Sequence, residues 1–321
     1  MRILLATDGS ESANVAAELV GALPLTHGSR IRVVRVVEPP PTGAMTAWEL
    51  VVPLDDVADD RALVADAHGD VQSIAATLRV RGFDVETGVL HGRPAEAIVA
   101  DAELRMPDLV VVGNRGHSGI ERMLLGSVSG EVVDHSPVPV LVGRRGTVRR
   151  VVIGVDGSAI AADAVEAVAR WPILADAQIT VVSVVPEPAT WWPSTRGREP
   201  AALSARSREE VMASALTTHQ AFADEAAARL RRSGFAPTAE VKIGAAAHVL
   251  VSTVAALDAD LLIVGSHGRT GVSRWLLGSV ARNVLHHATC SVLVVRRHVA
   301  TRRQAEPLAG WGLIGDLAGV T

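Results

Sequence analysis

Residues Asp108 to Val128 read DLVVVGNRGHSGIERMLLGSV, and Asp260 to Val280 read DLLIVGSHGRTGVSRWLLGSV. Twelve of these 21 positions are identical at a constant offset of 152. Self-similarity at one fixed spacing means a structural unit written twice. The pairing continues upstream, where Asp8-Gly9-Ser10 matches Asp156-Gly157-Ser158 at an offset of 148. The four extra residues of the second copy are placed most simply in the stretch 187–200, EPATWWPSTRGREP. A short Gly/Arg-rich segment, Gly146 to Arg150, marks the join. At roughly 150 residues per domain, the chain reads as tandem domains at 1–147 and 148–298, then a tail at 299–321.

Within each copy, apolar strand signals alternate with helical periodicity, which predicts parallel sheets with helices on both faces. The expected order in the first copy is a strand at 3–7, a helix after Ser10, a strand at 31–37 and a helix at 56–81. A strand at 85–90, a helix at 94–103, a strand at 109–112, a helix at 127–135 and a strand at 138–143 follow. The second copy repeats this at 151–155, 178–185, 205–233, 238–243, 245–257, 261–264, 279–287 and 291–296. Pro139, lacking an N–H, predicts that the last strand of the first copy lies at a sheet edge.

Composition removes several functions. Lysine and arginine total 31, but Lys242 is the one lysine, and it lies outside any G-K-[ST] sequence, so a Walker-A loop is excluded. The net charge of −4 offers little to nucleic acid or an anionic membrane. The single cysteine, Cys290, rules out a disulfide framework and a cysteine-based zinc site, and reads as a buried strand thiol. Asp8 follows Met1 too closely for a signal-peptide core, and no run of about 18 uncharged apolar residues exists. The expectation is a soluble cytoplasmic protein.

The sharpest chemical signal is Gly113-x-x-Gly116-x9-Gly126-Ser127, repeated as Gly265-x-x-Gly268-x9-Gly278-Ser279. The first glycine ends a buried strand at the carboxyl edge, where open α/β sheets bind ligands. Glycine permits sharp turns and close backbone approach. The final Gly-Ser opens a helix whose free amides and dipole favour an anion. The loop therefore suits a phosphate chain held by backbone amides. About four charge-assisted bonds of roughly 1.5–3 kcal/mol each, less the cost of lost freedom, correspond to micromolar affinity. On this reading, Gly113→Val with Gly265→Val removes binding and leaves the fold. The alternative is a turn that needs its glycines and a serine cap for folding alone. A dinucleotide fold is disfavoured because Asp8-Gly-Ser and Asp156-Gly-Ser lack G-x-G-x-x-G.

With both glycine motifs in place, the sequence resembles the universal stress protein family in its tandem form, over about residues 1–298. The resemblance implies a five-stranded parallel sheet of order 3-2-1-4-5 in each copy and pairing of the copies through their last strands. It implies ATP in each domain, with Mg²⁺ at the phosphates. By that analogy Asp8 and Asp156 lie beside the adenosine or its metal. Gly113, Gly116, Gly126 and Ser127 would hold phosphate and ribose in the first copy, and Gly265, Gly268, Gly278 and Ser279 in the second. Backbone near Val37 and Val185 would face the adenine. Ala6 stands where the second copy has Gly154, so the two sites are expected to differ.

Other residues stay open. Asp8 and Asp156 also fit a plain turn, in which the side chain bonds backbone two residues on. Arg115 and His117, with counterparts His267 and Arg269, either neutralise phosphate or are solvated loop residues. His91 faces Ile243 in the alignment and reads as structural. The adjacent His286 and His287 make a poor chelate. Trp191 and Trp192 fit a lid, a partner surface or a packed flap. Two function classes remain: a nucleotide-binding regulatory protein, as a homodimer or internal pseudo-dimer, and a slow ATPase using the same pockets. Hydrolysis needs a residue that orients water beside the γ-phosphate, and neither loop shows a carboxylate pair or a His/Asp set, which favours binding.

Overall fold

The computed structural model describes residues 1–26, 28–38, 56–116, 125–174, 176–187, 205–268 and 277–296. His117, Arg269, Trp191, Trp192 and the tail 299–321 lie outside the described residues. The first half runs β1 (Arg2–Thr7), α1 (Glu11–Ala22), β2 (Arg30–Val37), α2 (Asp56–Val80) and β3 (Asp84–His91). It continues with α3 (Pro94–Arg105), β4 (Leu109–Gly113), α4 (Ser127–His135) and β5 (Val140–Gly143). The second half repeats the order: β6 (Arg150–Val155), α5 (Ala159–Arg170), β7 (Gln178–Val185), α6 (Ala205–Arg232), β8 (Thr238–Ile243), α7 (Ala246–Ala256), β9 (Leu261–Gly265), α8 (Ser279–His287) and β10 (Ser291–Val295). A one-turn 3-10 helix at Pro172–Leu174 was not expected from the sequence.

Among the described residues, ten strands form one sheet, ordered β3-β2-β1-β4-β5-β10-β9-β6-β7-β8. Each half has the expected 3-2-1-4-5 order, and pairing within a half is parallel. The halves join through an antiparallel ladder, with Val140 opposite Val294, Leu141 opposite Leu293 and Val142 opposite Val292. The edge expected at Pro139 is therefore corrected: β5 is bonded on both sides. Its ladder starts at Val140, so the proline needs no N–H, and its carbonyl still accepts from Val110 N at 3.0 Å.

Strand alternation splits the core into two layers. Ile3 and Leu5 face the layer under α1, α2, α5 and α6, while Leu4 and Ala6 face the layer under α3, α4, α7 and α8. Both layers run through residues of both halves, among them Leu141 with Leu293 and Val142 with Val292.

At the join the halves cap each other. Arg144 reaches Leu285 O and donates to Cys290 O at 3.3 Å, past the end of α8. Arg296, its repeat counterpart, donates to Val133 O at 2.6 Å and to Asp134 O near the end of α4. Cations suit these carbonyls because helix C-termini carry partial negative charge. Ser291 Oγ completes the seam, accepting from Arg144 N at 3.0 Å and Arg145 N at 3.1 Å.

The halves differ beneath α3. Arg32, with only 7% of its side chain exposed, donates to Asp101 Oδ2 at 3.1 Å and pairs with Glu86. Arg105 bridges Asp101 at 3.1 Å and Glu86 at 3.4 Å. The matching positions in the second half are Thr180, Thr253, Leu257 and Thr238. There Lys242 Nζ donates to Thr253 Oγ1 at 3.0 Å.

Candidate functional site at the carboxyl edge of each half

β1 and β6 each end in Asp-Gly-Ser, and the two turns match. Asp8 Oδ1 accepts from Ser10 N at 3.0 Å, and Asp156 Oδ1 accepts from Ser158 N at 3.0 Å. Gly9 and Gly157 have φ of 81° and 75°, the left-handed region that glycine enters without strain. Ser10 and Ser158 then cap α1 and α5, accepting from Ala13 N and Ala161 N. The plain turn reading of these aspartates is thus present. It also fixes the carboxylates, because one oxygen held by backbone leaves the other with a set direction.

That other oxygen meets the glycine motif. A β-carbon on Gly116 would stand 2.6 Å from Asp8 Oδ2, and one on Gly268 would stand 2.7 Å from Asp156 Oδ2. The neck of each loop is pinched: Gly126 N donates to Asn114 O at 2.8 Å, and Gly278 N to Ser266 O at 2.7 Å. Gly126 and Gly278 are the N-cap residues of α4 and α8, and neither helix has a side-chain cap bond. Ser127 and Ser279 are the first helical residues, so the serine-cap alternative is corrected. Without an acceptor from the cap residue, the leading amides of α4 and α8 keep donors for another partner.

Gly113 and Gly265 also carry a packing duty. A β-carbon on Gly113 would stand 2.9 Å from backbone atoms of Ser12 and Ala13, and one on Gly265 would stand 2.9 Å from Ile160 Cγ2. These glycines let β4 and β9 pass close to α1 and α5. Valine there strains the fold itself, so it cannot test ligand binding alone.

In the second half the parts enclose a cavity of about 320 Å³. Of the expected residues, Gly154, Asp156, Gly265, His267, Gly268, Gly278 and Ser279 line it. Val185 is fully buried and is not part of the lining; Val182, Val184 and Pro186 line that end. The carbonyls of Val37 and Val185 accept from Gly92 N at 3.1 Å and Gly244 N at 2.9 Å. Gly154 forms cavity floor, where a β-carbon would come within 3.0 Å of Leu250 Cδ1. Ala6 supplies that methyl in the first half.

The basic residues divide. His267 lines the cavity, its Nδ1 lies 3.2 Å from Ser266 Oγ, and its Nε2 is buried without a hydrogen-bond partner among the described residues. Burial, then the nearby Arg296 charge, holds its pKa below the ordinary 6.5. Its counterpart Arg115 lines a separate cavity of about 410 Å³ at the seam, with Glu11, Asn114, Arg144 and Thr289. Burial, with Arg115 adding to it, lowers Arg144 to about 10.

His286 lines a cleft between α4 and α8, and burial, followed by His287, lowers its pKa. His91, at the end of β3, is exposed. Among the described residues, no group of three His, Cys, Asp or Glu side chains is placed to hold a metal ion. Cys290 is fully buried, and that burial pushes its thiol up to about 11. No described helix is long and apolar enough to cross a membrane.

Sequence reasoning missed His219 and Ser183. His219, on α6, lines the second-half cavity, and its Nδ1 lies 2.9 Å from Ser183 Oγ. A histidine on the inward face of a helix carries no motif. The one available signal was its replacement by Ala67 at the matching position.

A family model described as the universal stress protein family matches residues 1–144 and again 147–296. A universal stress protein of Thermus aquaticus is 38% identical over 143 residues, covering 44% of this chain and 97% of that relative. One from Mycolicibacterium smegmatis is 27% identical over 315 residues, covering 92% of this chain and 96% of its own length. The crystal structure of a universal stress protein from Archaeoglobus fulgidus shares the fold. It has a TM-score of 0.62 at 20% identity, covering 92% of this chain and 98% of that one.

Proposed function

The chain belongs to the universal stress protein family, in tandem form, and from that premise we propose that it is a regulatory protein binding one ATP in each half. The observation that carries this reading is the aspartate–glycine–helix arrangement at both carboxyl edges. In each half a turn-fixed aspartate presses on a loop glycine, and a helix opens with no side-chain cap. A β-carbon at Gly116 or Gly268 would collide with that carboxylate, so glycine there lets the aspartate stand beside the loop. The second-half cavity, about 320 Å³, falls within the size of small-ligand sites. It has a glycine-rich end beside the α8 amides and an apolar end at Val182, Val184 and Leu250. Those two ends suit a phosphate chain and a planar base.

The donor set also fits a magnesium ion carried with the nucleotide. Mg²⁺ takes one or two carboxylates and completes its shell with phosphate oxygens and water. Asp8 and Asp156 each provide one such carboxylate at the correct edge.

Binding without fast turnover is the favoured activity. Asp156 is the one carboxylate among the described cavity residues, and its Oδ1 already accepts from Ser158 N. Nucleotide occupancy would tune the conformation of this edge or the choice of partner. The paired edges of β5 and β10 satisfy each other within one chain, which supports an internal pseudo-dimer.

Nucleotide content is the direct test. The purified protein, desalted and denatured, is expected to release about two equivalents of ATP. ADP alone supports hydrolysis instead. No nucleotide, even after incubation with ATP and Mg²⁺, overturns the reading.

A further inference from the structure

The two halves differ on the side of the long helices. In the second half, Ser183 is fully buried and donates to Val155 O at 3.0 Å. The same Oγ lies 2.9 Å from His219 Nδ1, a hydrogen bond that ties the ring to β7. The imidazole is further held by Phe222, edge to face, with ring centroids 5.4 Å apart. His219 is 8% exposed and borders the cavity at the same time. The result is a rigid aromatic wall. In the first half the matching residues are Arg35 for Ser183, Ala67 for His219 and Asp70 for Phe222. Arg35 and Asp70 form an ion pair, and Ala67 carries only a methyl.

We propose that His219 is a specificity-determining residue that makes the second-half pocket select the heterocyclic base of its ligand, a selectivity the first half lacks. The cavity holds the anion-binding amides at one end, so phosphate recognition does not involve His219. Val182, Val184, Pro186 and Leu250 line the same cavity as His219. An immobilised aromatic side chain facing a planar base gains stacking or edge contact without losing rotamer freedom on binding. The first half must hold its ligand mainly through the phosphates, so it is expected to be the less base-selective site. The inference rests on the nucleotide reading above.

The test is calorimetric titration of the full chain with ATP and, separately, with inorganic tripolyphosphate. The binding event lost in Gly268→Val identifies the second half. His219→Ala is expected to weaken second-half ATP binding about tenfold, the scale of losing one aromatic–base contact, and to leave tripolyphosphate unchanged. His219→Phe, which keeps a ring, is expected to restore most of the ATP affinity. Equal losses for ATP and tripolyphosphate would mean that His219 only props the wall, and an unchanged ATP affinity would mean that it does not touch the base; either overturns the proposal. If His219→Ala does not fold, Ser183→Ala, which loosens the ring without removing it, is expected to give a smaller loss specific to ATP, and no loss overturns it. Second-half ATP binding absent from the unaltered protein overturns the nucleotide reading and this proposal together.

Discussion

Asp156 Oδ2 lies 2.7 Å from the point that a β-carbon on Gly268 would occupy, and Asp8 stands in the same relation to Gly116 at 2.6 Å. A side chain at either glycine must displace the carboxylate from beside the loop. Gly268→Val is therefore expected to abolish nucleotide binding in the second half while the circular dichroism spectrum stays native. Gly113→Val contrasts with it. Overpacking against the backbone of α1 is expected to cost about 1–3 kcal/mol or more of stability, read as a lower denaturant midpoint without ligand. Equal destabilisation by both variants would remove the distinction.

Asp156 has two separable duties. Asparagine keeps the side-chain oxygen that Ser158 N donates to at 3.0 Å, so Asp156→Asn is expected to unfold at nearly the same temperature as the unaltered protein. It removes the charge, so Mg²⁺–ATP affinity is expected to drop. Asp156→Ala loses the turn bond as well, at about 1 kcal/mol of stability. Full Mg²⁺–ATP affinity in the asparagine variant would show that the aspartate belongs to the turn alone.

The seam is held by exchanged arginines. Arg296→Ala leaves the carbonyls of Val133 and Asp134 without their donor, and about 1.5–3 kcal/mol is expected for bonds to a charged group. Thermal unfolding read by tryptophan fluorescence and by dichroism measures it. A change within error would mean that water replaces the guanidinium without cost.

Acid should weaken the second half. The pKa of His267 is held below its ordinary 6.5, chiefly by burial, so the unfolded chain takes up the proton more readily. The stability linked to this group is full above about pH 6.5 and is lost as the pH falls below that value. His286, lowered chiefly by burial, acts in the same direction. The unfolding temperature is expected to fall between about pH 7.5 and pH 5.5, less steeply in His267→Gln. Bound phosphate favours the protonated ring, so ATP is expected to flatten the dependence further.

Cys290 should be silent in the native state. Its thiol, pushed up to about 11 by burial, supplies little thiolate at neutral pH. Iodoacetamide is expected to modify it only under denaturing conditions, and rapid native alkylation would show that the seam opens.

The buried charges under α3 illustrate what local sequence does not show. Arg32 and Asp101 are 69 residues apart, and their bond exists because β2 lies between β1 and β3, over the face that α3 covers. Arginine at one position of an apolar strand reads as a solvent-facing residue until that cover is known. Removing Asp101 is the kind of change that strands a buried charge, with typical costs of about 3–5 kcal/mol.

The repeat, the alternation of strand and helix and the glycine spacing were sufficient to determine the fold class, the order of elements and the edge on which the candidate site lies. These follow from local periodicity and from backbone positions that only glycine tolerates, which are properties of neighbouring residues. Tertiary structure decided the rest. It made one ten-stranded sheet, turned Pro139 away from an edge, sent Arg115 and His267 into different cavities and brought His219 to the second-half pocket. Each of these depends on where residues distant in sequence, or in the other copy, come to pack. Two near-identical motifs cannot report that, because the difference between the halves lies in what surrounds them.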